Sequence, residues 1–320
     1  MLRRVFLLVF FLCLSTFAVD AAAINWFEFN VPYESLKYAM DTDIATHEQE
    51  KKLDWIEILA LAASRTDGQC RLSSVKKAVK ELKGDVSAEE LASANPKGYR
   101  YYKTAYQAVL GGLLGNYSIL VDGKQKVVYG LKAFSPIAAG YGYGHSDDFG
   151  NKRTFGFTRR HLGHDMMGQQ GTPIVAVESG VVEALGWNRY GGWRIGIRSA
   201  DSKRYYYYAH LQKDHPYAPG LEEGDMVQAG DLIGFMGRTG YSDKENTNNI
   251  ETVHLHFGME LVFEESQKEC NNEIWIDTYS IVKLLDAHRS SLHKKGDVWQ
   301  RQYPFVDLDI PWLPERLKIV

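Results

Sequence analysis

Five residues able to bind a divalent metal or work beside one stand in three short motifs that lie far apart in the chain. They are His161 and Asp165 in His161-Leu162-Gly163-His164-Asp165, His210 at the end of a tyrosine run, and His254 and His256 in Val253-His254-Leu255-His256-Phe257. A zinc ion needs three or four N, O or S donors converging on one point, so any fold of this chain has to bring these motifs together. His161 and Asp165 are four apart and share a face in an extended or a helical segment. Gly163 between them tolerates the backbone bend that such a site requires. His254 and His256 alternate with Val, Leu and Phe as a strand does, so both imidazoles point one way and the apolar residues pack on the other.

Three protein ligands leave a tetrahedral zinc one position open for water, which separates a catalytic from a closed structural site. His161, Asp165 and one of the His254/His256 pair supply three. A proton acceptor is still needed, and His210 and the remaining member of the pair are the candidates. His210 follows Arg204-Tyr205-Tyr206-Tyr207-Tyr208-Ala209, a stretch of strand formers in which strict alternation puts Tyr206, Tyr208 and His210 on one face. On that basis Tyr206 and Tyr208 are expected to line a groove, with Trp193 at its rim.

With these motifs in view, the segment from Arg160 to Leu261 resembles the catalytic domain of the lysostaphin-type (LytM-like) zinc metalloendopeptidases, secreted enzymes that cut peptides of bacterial peptidoglycan. The resemblance rests on HLGHDMMGQQGTPIVAVESGVV, YYYYAHL, GDMVQAGDLIGFMGRTGYS and HLHF, about one third of the chain. It implies that His161, Asp165 and His256 hold one Zn2+, and that His210 and His254 are catalytic, polarising the substrate carbonyl or moving the proton of water. It also implies a latency device, in which Asp147, Asp148 or Asn151 would reach the metal from the preceding loop.

Other readings compete with this one. His254-x-His256-x-x-x-Glu260 is similar to the first metal motif of cupin oxygenases, but the expected upstream glycine and a second histidine motif are absent. Glu260 is better read as orienting a ligand imidazole. A non-enzymatic wall-binding or scaffold protein that keeps a metal for stability is the rival class, although such a site has no use for His210 and His254. His47, His215, His288 and His293 read as solvated polar residues. His164 has the wrong parity to join His161 and Asp165, and His145 reads as a turn residue.

The chain has 320 residues, 45% hydrophobic and 24% charged, which describes a globular protein of one large or two modest domains. A formal net charge of -3 without a basic run excludes a nucleic-acid footprint. Met1-Leu2-Arg3-Arg4, the apolar run from Val5 to Val19 and the small residues at 21–23 read as an export signal, too short for a membrane span of about 20 residues. The expected location is outside the cell or on the periplasmic face, with membrane contact only through this segment. Cys13 lacks a lipidation context. Cys70 and Cys270 are read as free or buried thiols, their pairing left open.

The fold expected is α+β: a helical N-terminal domain followed by a β-rich antiparallel catalytic domain of the lysostaphin-type, lipoyl-like sandwich kind. The boundaries are a signal at 1–23, a helical domain at 24–120, a linker and cleft entry at 121–156, the zinc peptidase domain at 157–265, and a C-terminal helix and tail at 266–320 packing on the catalytic domain. Helices are expected at Trp55–Ala63, Ser73–Lys83, from Ser87, at Tyr99–Leu114 and at Thr278–Arg289. The tyrosines of the fourth are candidates either for stacking on sugar or for the core. The function expected is hydrolysis of peptidoglycan peptides.

Overall fold

The structure, a computed structural model, describes residues 24, 26–269, 272–296 and 298–310. The expected signal segment, Cys13 and Cys270 lie outside the described residues. The first part of the chain folds as α1 (Tyr33–Thr46), α2 (Trp55–Ser64), α3 (Leu72–Leu82), α4 (Ala88–Leu91) and α5 (Pro96–Leu110). Local chemistry sets these ends. The Asp54 carboxylate accepts from Glu57 N–H at the start of α2, Ser87 and Glu90 close a reciprocal capping box on α4, and Asn95 caps α5 with Pro96 in its first turn. Asp67 and Gly68, both with positive φ, turn the chain after α2. α2 is buried nearly all round because α1, α3 and α5 pack against it. Tyr99 and Tyr106 of α5 are buried and belong to this core, so they offer no surface for stacking on sugar.

A hairpin, β1 (Leu114–Val121) and β2 (Lys124–Leu131), follows the helices. Next come β3 (Gly144–His145), β4 (Lys152–Phe155), β5 (Phe157–Arg160), β6 (His164–Met167), β7 (Pro173–Val175), β8 (Gly180–Asn188), β9 (Gly192–Ser199), β10 (Arg204–Ala209), β11 (Met226–Val227), β12 (Leu232–Phe235), β13 (His254–Leu261) and β14 (Ile274–Trp275). The chain then forms α6 (Tyr279–Leu285), β15 (Leu292–Lys295), β16 (Val298–Arg301) and β17 (Phe305–Asp307). The main sheet runs β11-β8-β9-β10-β13-β6-β3, with β14 also on β13, and its pairings are antiparallel. β7 and β12 pair with each other in a separate ribbon. No helix among the described residues is long and apolar enough to cross a membrane.

Tyr206 and Tyr208 do not line a groove. Both are fully buried on the back of β10, where the Tyr206 hydroxyl donates to Glu178 at 2.6 Å and the Tyr208 hydroxyl accepts from Val177 N–H at 2.9 Å. Arg204 on the same face is also fully buried. Its guanidinium grips the Glu178 carboxylate at 2.7 and 2.9 Å, and its third nitrogen donates to the Ala108 carbonyl of α5 at 2.7 Å. Gly112, just beyond α5, has to be glycine, because a Cβ there would collide with the Glu178 carboxylate.

Two observations bear on the expected organisation. The helices and the back of the sheet contribute to one continuous apolar cluster. The stretch expected as a linker contains β2 and the buried Ala133, Phe134, Ser135, Ile137 and Ala138. Its turn-rich composition reflects tight bends between packed residues. At the C-terminal end α6 lies against α1, and β17 adds to β1, placing Asp307 in a buried ion pair with Lys132 at 2.8 Å.

Glu178→Ala leaves the Arg204 charge buried with only exposed Asp201 beside it, and is expected to lower stability by about 3–5 kcal/mol in urea unfolding. Replacing Glu178 and Arg204 together by apolar residues of similar volume should recover most of that loss.

Candidate metal centre and cleft

The pairing of β6 with β13 sets Asp165 directly opposite His256. His161 enters from the turn before β6, and its Nε2 lies 2.9 Å from Asp165 Oδ1 and 2.9 Å from His256 Nδ1. The third side of the triangle, His256 Nδ1 to Asp165 Oδ1, is 3.1 Å. Donors bound to one tetrahedral zinc at 2.0–2.1 Å stand about 3.3 Å apart. The three side chains therefore already have the spacing of a ligand set, and two imidazole nitrogens with one carboxylate oxygen are donors that suit zinc. Gly163 keeps the space open, since a Cβ there would fall within 2.6 Å of His256 Nε2.

A residue weighed in the sequence only as a latency ligand turns out to orient this set. Asp148 sits behind His161, whose Nδ1 is 3.1 Å from the Asp148 carbonyl and 3.2 Å from its carboxylate. That contact fixes the Nδ1 proton toward Asp148, so the proton that gives way to a metal is the one on Nε2, which faces Asp165 and the centre. His164 faces the other way, as its parity requires, with its Nε2 2.8 Å from His145 Nδ1. Arg153, which the sequence reading missed, donates to Asp148 at 2.7 Å and to the second oxygen of Asp165 at 2.9 Å. The signal for it was slight: one arginine in a short hairpin.

Charge in this corner is strongly organised. Burial opposes ionisation of Asp148 and Asp165, but hydrogen bonds from the histidines outweigh it and hold both carboxylates well below their usual range. Burial likewise opposes charge on His161, yet Asp148 and Asp165 prevail and raise its pKa to about 9. His256 is lowered by burial against the pull of Asp165.

His210 and His254 stand beside this triangle, their rings 4.7 Å apart, with His210 5.7 Å from His256. The His210 Nδ1 is 2.9 Å from the Thr239 carbonyl and the His254 Nδ1 is 2.9 Å from the Thr252 carbonyl. Both networks place the proton on Nδ1 and leave Nε2 as an acceptor. Burial, then the neighbouring imidazoles of His254 and His256, push the His210 pKa well down, so its ring is neutral at neutral pH.

His210 reaches the centre because its backbone leaves the strand. Its φ of 61° is left-handed, so the alternation of β10 stops at Ala209 and His210 joins the face of Tyr205 and Tyr207. Those two tyrosines, with Arg159, Tyr190, Arg194 and Tyr241, help line a cleft of about 880 Å³ that runs past the centre. Trp193 is not among its lining residues. It packs edge-on against Trp187 and Tyr217 and donates to Asn246 at 2.9 Å. Glu260, which the cupin reading needed as a ligand, lines the cleft but stands outside the His161, Asp165 and His256 group.

Because His161 holds a proton up to about pH 9, metal loading should release one proton, and apparent affinity should climb roughly tenfold per pH unit from 7 toward 9. Titration against a chromophoric chelator at several pH values checks this. Asp148→Ala should weaken metal binding by about 10–100-fold.

Comparison with known proteins gives this arrangement a context. Residues 159–271 match the family described as Peptidase family M23. The L-Ala--D-Glu endopeptidase of Bacillus subtilis (strain 168) is 36% identical over 148 residues, which are 46% of this chain and 44% of that protein. Lysostaphin of Staphylococcus staphylolyticus is 38% identical over 98 residues, 30% of this chain and 18% of that protein. The chain thus spans less than half the length of these curated relatives. A crystal structure from Ruminococcus gnavus ATCC 29149, described as that of a candidate glycyl-glycine endopeptidase lytM, shares the fold with a TM-score of 0.55 at 24% identity, covering 83% of this chain and 91% of that one. Over residues 159–271 the chain is therefore similar to peptidase family M23.

Proposed function

We propose that the protein is an exported zinc-dependent endopeptidase that hydrolyses peptide bonds in the stem or cross-bridge peptides of bacterial peptidoglycan. The observation that carries this reading is the pair of acceptor nitrogens on His210 and His254 beside the converged donors of His161, Asp165 and His256. A metal held only for stability would need neither imidazole. The similarity to an L-Ala--D-Glu endopeptidase and to lysostaphin supports peptidoglycan peptide as the substrate, and the first 23 residues, read from sequence, support export.

Zinc held by the three donors would supply the positive charge that polarises a scissile carbonyl and makes water acidic enough to attack near neutral pH. The remaining chemistry belongs to the chain. Neutral His210 takes a proton from the attacking water through Nε2, with Thr239 fixing its tautomer. Once protonated, the same nitrogen donates to the oxygen that gains charge as the carbonyl carbon becomes tetrahedral. His254, fixed in the same way by Thr252, offers a second acceptor nitrogen on the same side that can hold the other hydrogen of the attacking water, while His210 hands the proton it took to the departing amine as the C–N bond breaks, leaving a carboxylic acid and a neutral amine. Asp148 and Arg153 keep His161 and Asp165 in place throughout.

His210→Ala should retain metal stoichiometry while losing about 10²–10⁴-fold in kcat on purified peptidoglycan, followed by release of new amino termini. Metal retention together with undiminished cleavage would refute the assigned role. Identifying the new termini by mass spectrometry would name the bond.

A further inference from the structure

Arg159 brings into the cleft a guanidinium that makes no ion pair with a carboxylate among the described residues, although Glu183, Glu260 and Glu273 also line the cleft. Its guanidinium lies between the rings of Tyr190 and Tyr241, 4.8 and 5.1 Å from their centroids, and one nitrogen donates to the Tyr241 hydroxyl at 2.8 Å. The other terminal nitrogen, Nη1, is enclosed and meets no hydrogen-bond acceptor. Arg194, on the β9 strand of the cleft floor, also has an enclosed Nη1 with no acceptor. Neighbouring arginines are matched: Arg153 by Asp148 and Asp165, Arg189 by Asp243, and Arg198 by Glu183. Arg159 and Arg194 line the cleft together with Arg160, which is exposed to solvent, and Arg159 stands beside Tyr241, whose ring is 6.0 Å from that of His210.

We infer that this end of the cleft receives a free carboxylate of the substrate residue next to the cleaved bond, with Arg159 as its main donor and Arg194 assisting from the floor. The inference rests on the peptidase reading of the cleft and adds a substrate class to it: anionic peptide in preference to a glycine-only bridge. The two tyrosine faces hold the guanidinium flat and limit the rotamer freedom that binding would otherwise remove. A planar fork with an unused N–H edge matches a carboxylate in both shape and charge, and a neutral carboxamide offers it a weaker acceptor together with an unwanted donor. Bury such a fork without its anion and the desolvated N–H goes unsatisfied, a loss that the substrate itself would make good.

The test compares two peptides that differ only in this group, L-Ala-γ-D-Glu-L-Lys-D-Ala and its analogue with the free α-carboxylate of D-Glu converted to carboxamide, with pentaglycine as a third probe. Binding is read by calorimetry on the metal-stripped wild-type protein, and cleavage on the metal-loaded protein. The carboxylate peptide should bind roughly 10–100-fold more tightly than the carboxamide, with any difference in cleavage appearing mainly in KM, and pentaglycine should be the weakest ligand. Arg159→Gln should erase the preference by weakening the carboxylate peptide alone, and Arg159→Lys, which keeps the charge but not the fork, should restore part of it. Equal affinity of the two peptides for the wild-type protein, or a preference that survives Arg159→Gln, overturns the inference while leaving the peptidase reading intact. Failure of the metal-loaded wild type to cut these peptides and purified peptidoglycan overturns both.

Discussion

The register of β6 against β13 is the constraint on which the site depends. Setting Asp165 opposite His256 fixes two donors by backbone hydrogen bonds, and side-chain flexibility has little left to decide. A slip of one residue would turn His254 and His256 to the core and Leu255 and Phe257, both fully buried, to the cleft. The apolar face of β13 therefore enforces the geometry of its polar face. His161 then needs only a short turn to reach the same point, and Gly163 in that turn leaves room for the His256 ring.

Much of this was legible because the chemistry is written in short periods. The His-x-His alternation gave the face of β13, the i, i+4 spacing put His161 with Asp165, and the same parity turned His164 away. Helix limits followed from caps such as Ser87 with Glu90, and α3, expected at Ser73–Lys83, buries Val75, Val79 and Leu82 at helical spacing. The tyrosine run was misread for one physical reason. Alternation was carried through His210, whose left-handed backbone ends it, and so the groove was assigned Tyr206 and Tyr208 where Tyr205 and Tyr207 line it. No local pattern marks a non-glycine residue at positive φ.

Partners across long loops were the other gap. Arg153 acts on Asp165 because the β4–β5 hairpin folds over this corner, Asp148 reaches His161 from the loop just before that hairpin, and single-sequence spacing does not specify where either lands. Likewise, the turn-rich stretch before it looked like a linker because its apolar residues are few, although Ala133, Ile137 and Ala138 are fully buried. The shared core of helices and sheet was invisible for a related reason. A buried arginine reads as a surface residue until its carboxylate and its helix carbonyl are placed around it.

Strand β10 works on both sides at once. Tyr205 and Tyr207 floor the cleft, while Arg204, Tyr206 and Tyr208 bind Glu178, Val177 and the last turns of α5. The residues that match the peptidase family are therefore not a free-standing unit in this chain. A fragment cut just before residue 159 would present to water a guanidinium that evolved against a helix carbonyl, on the reverse of the strand that shapes the cleft. The helices can thus be regarded as the back wall of the cleft's mould, and changes in their packing would be felt as changes in the shape of the cleft on the opposite face.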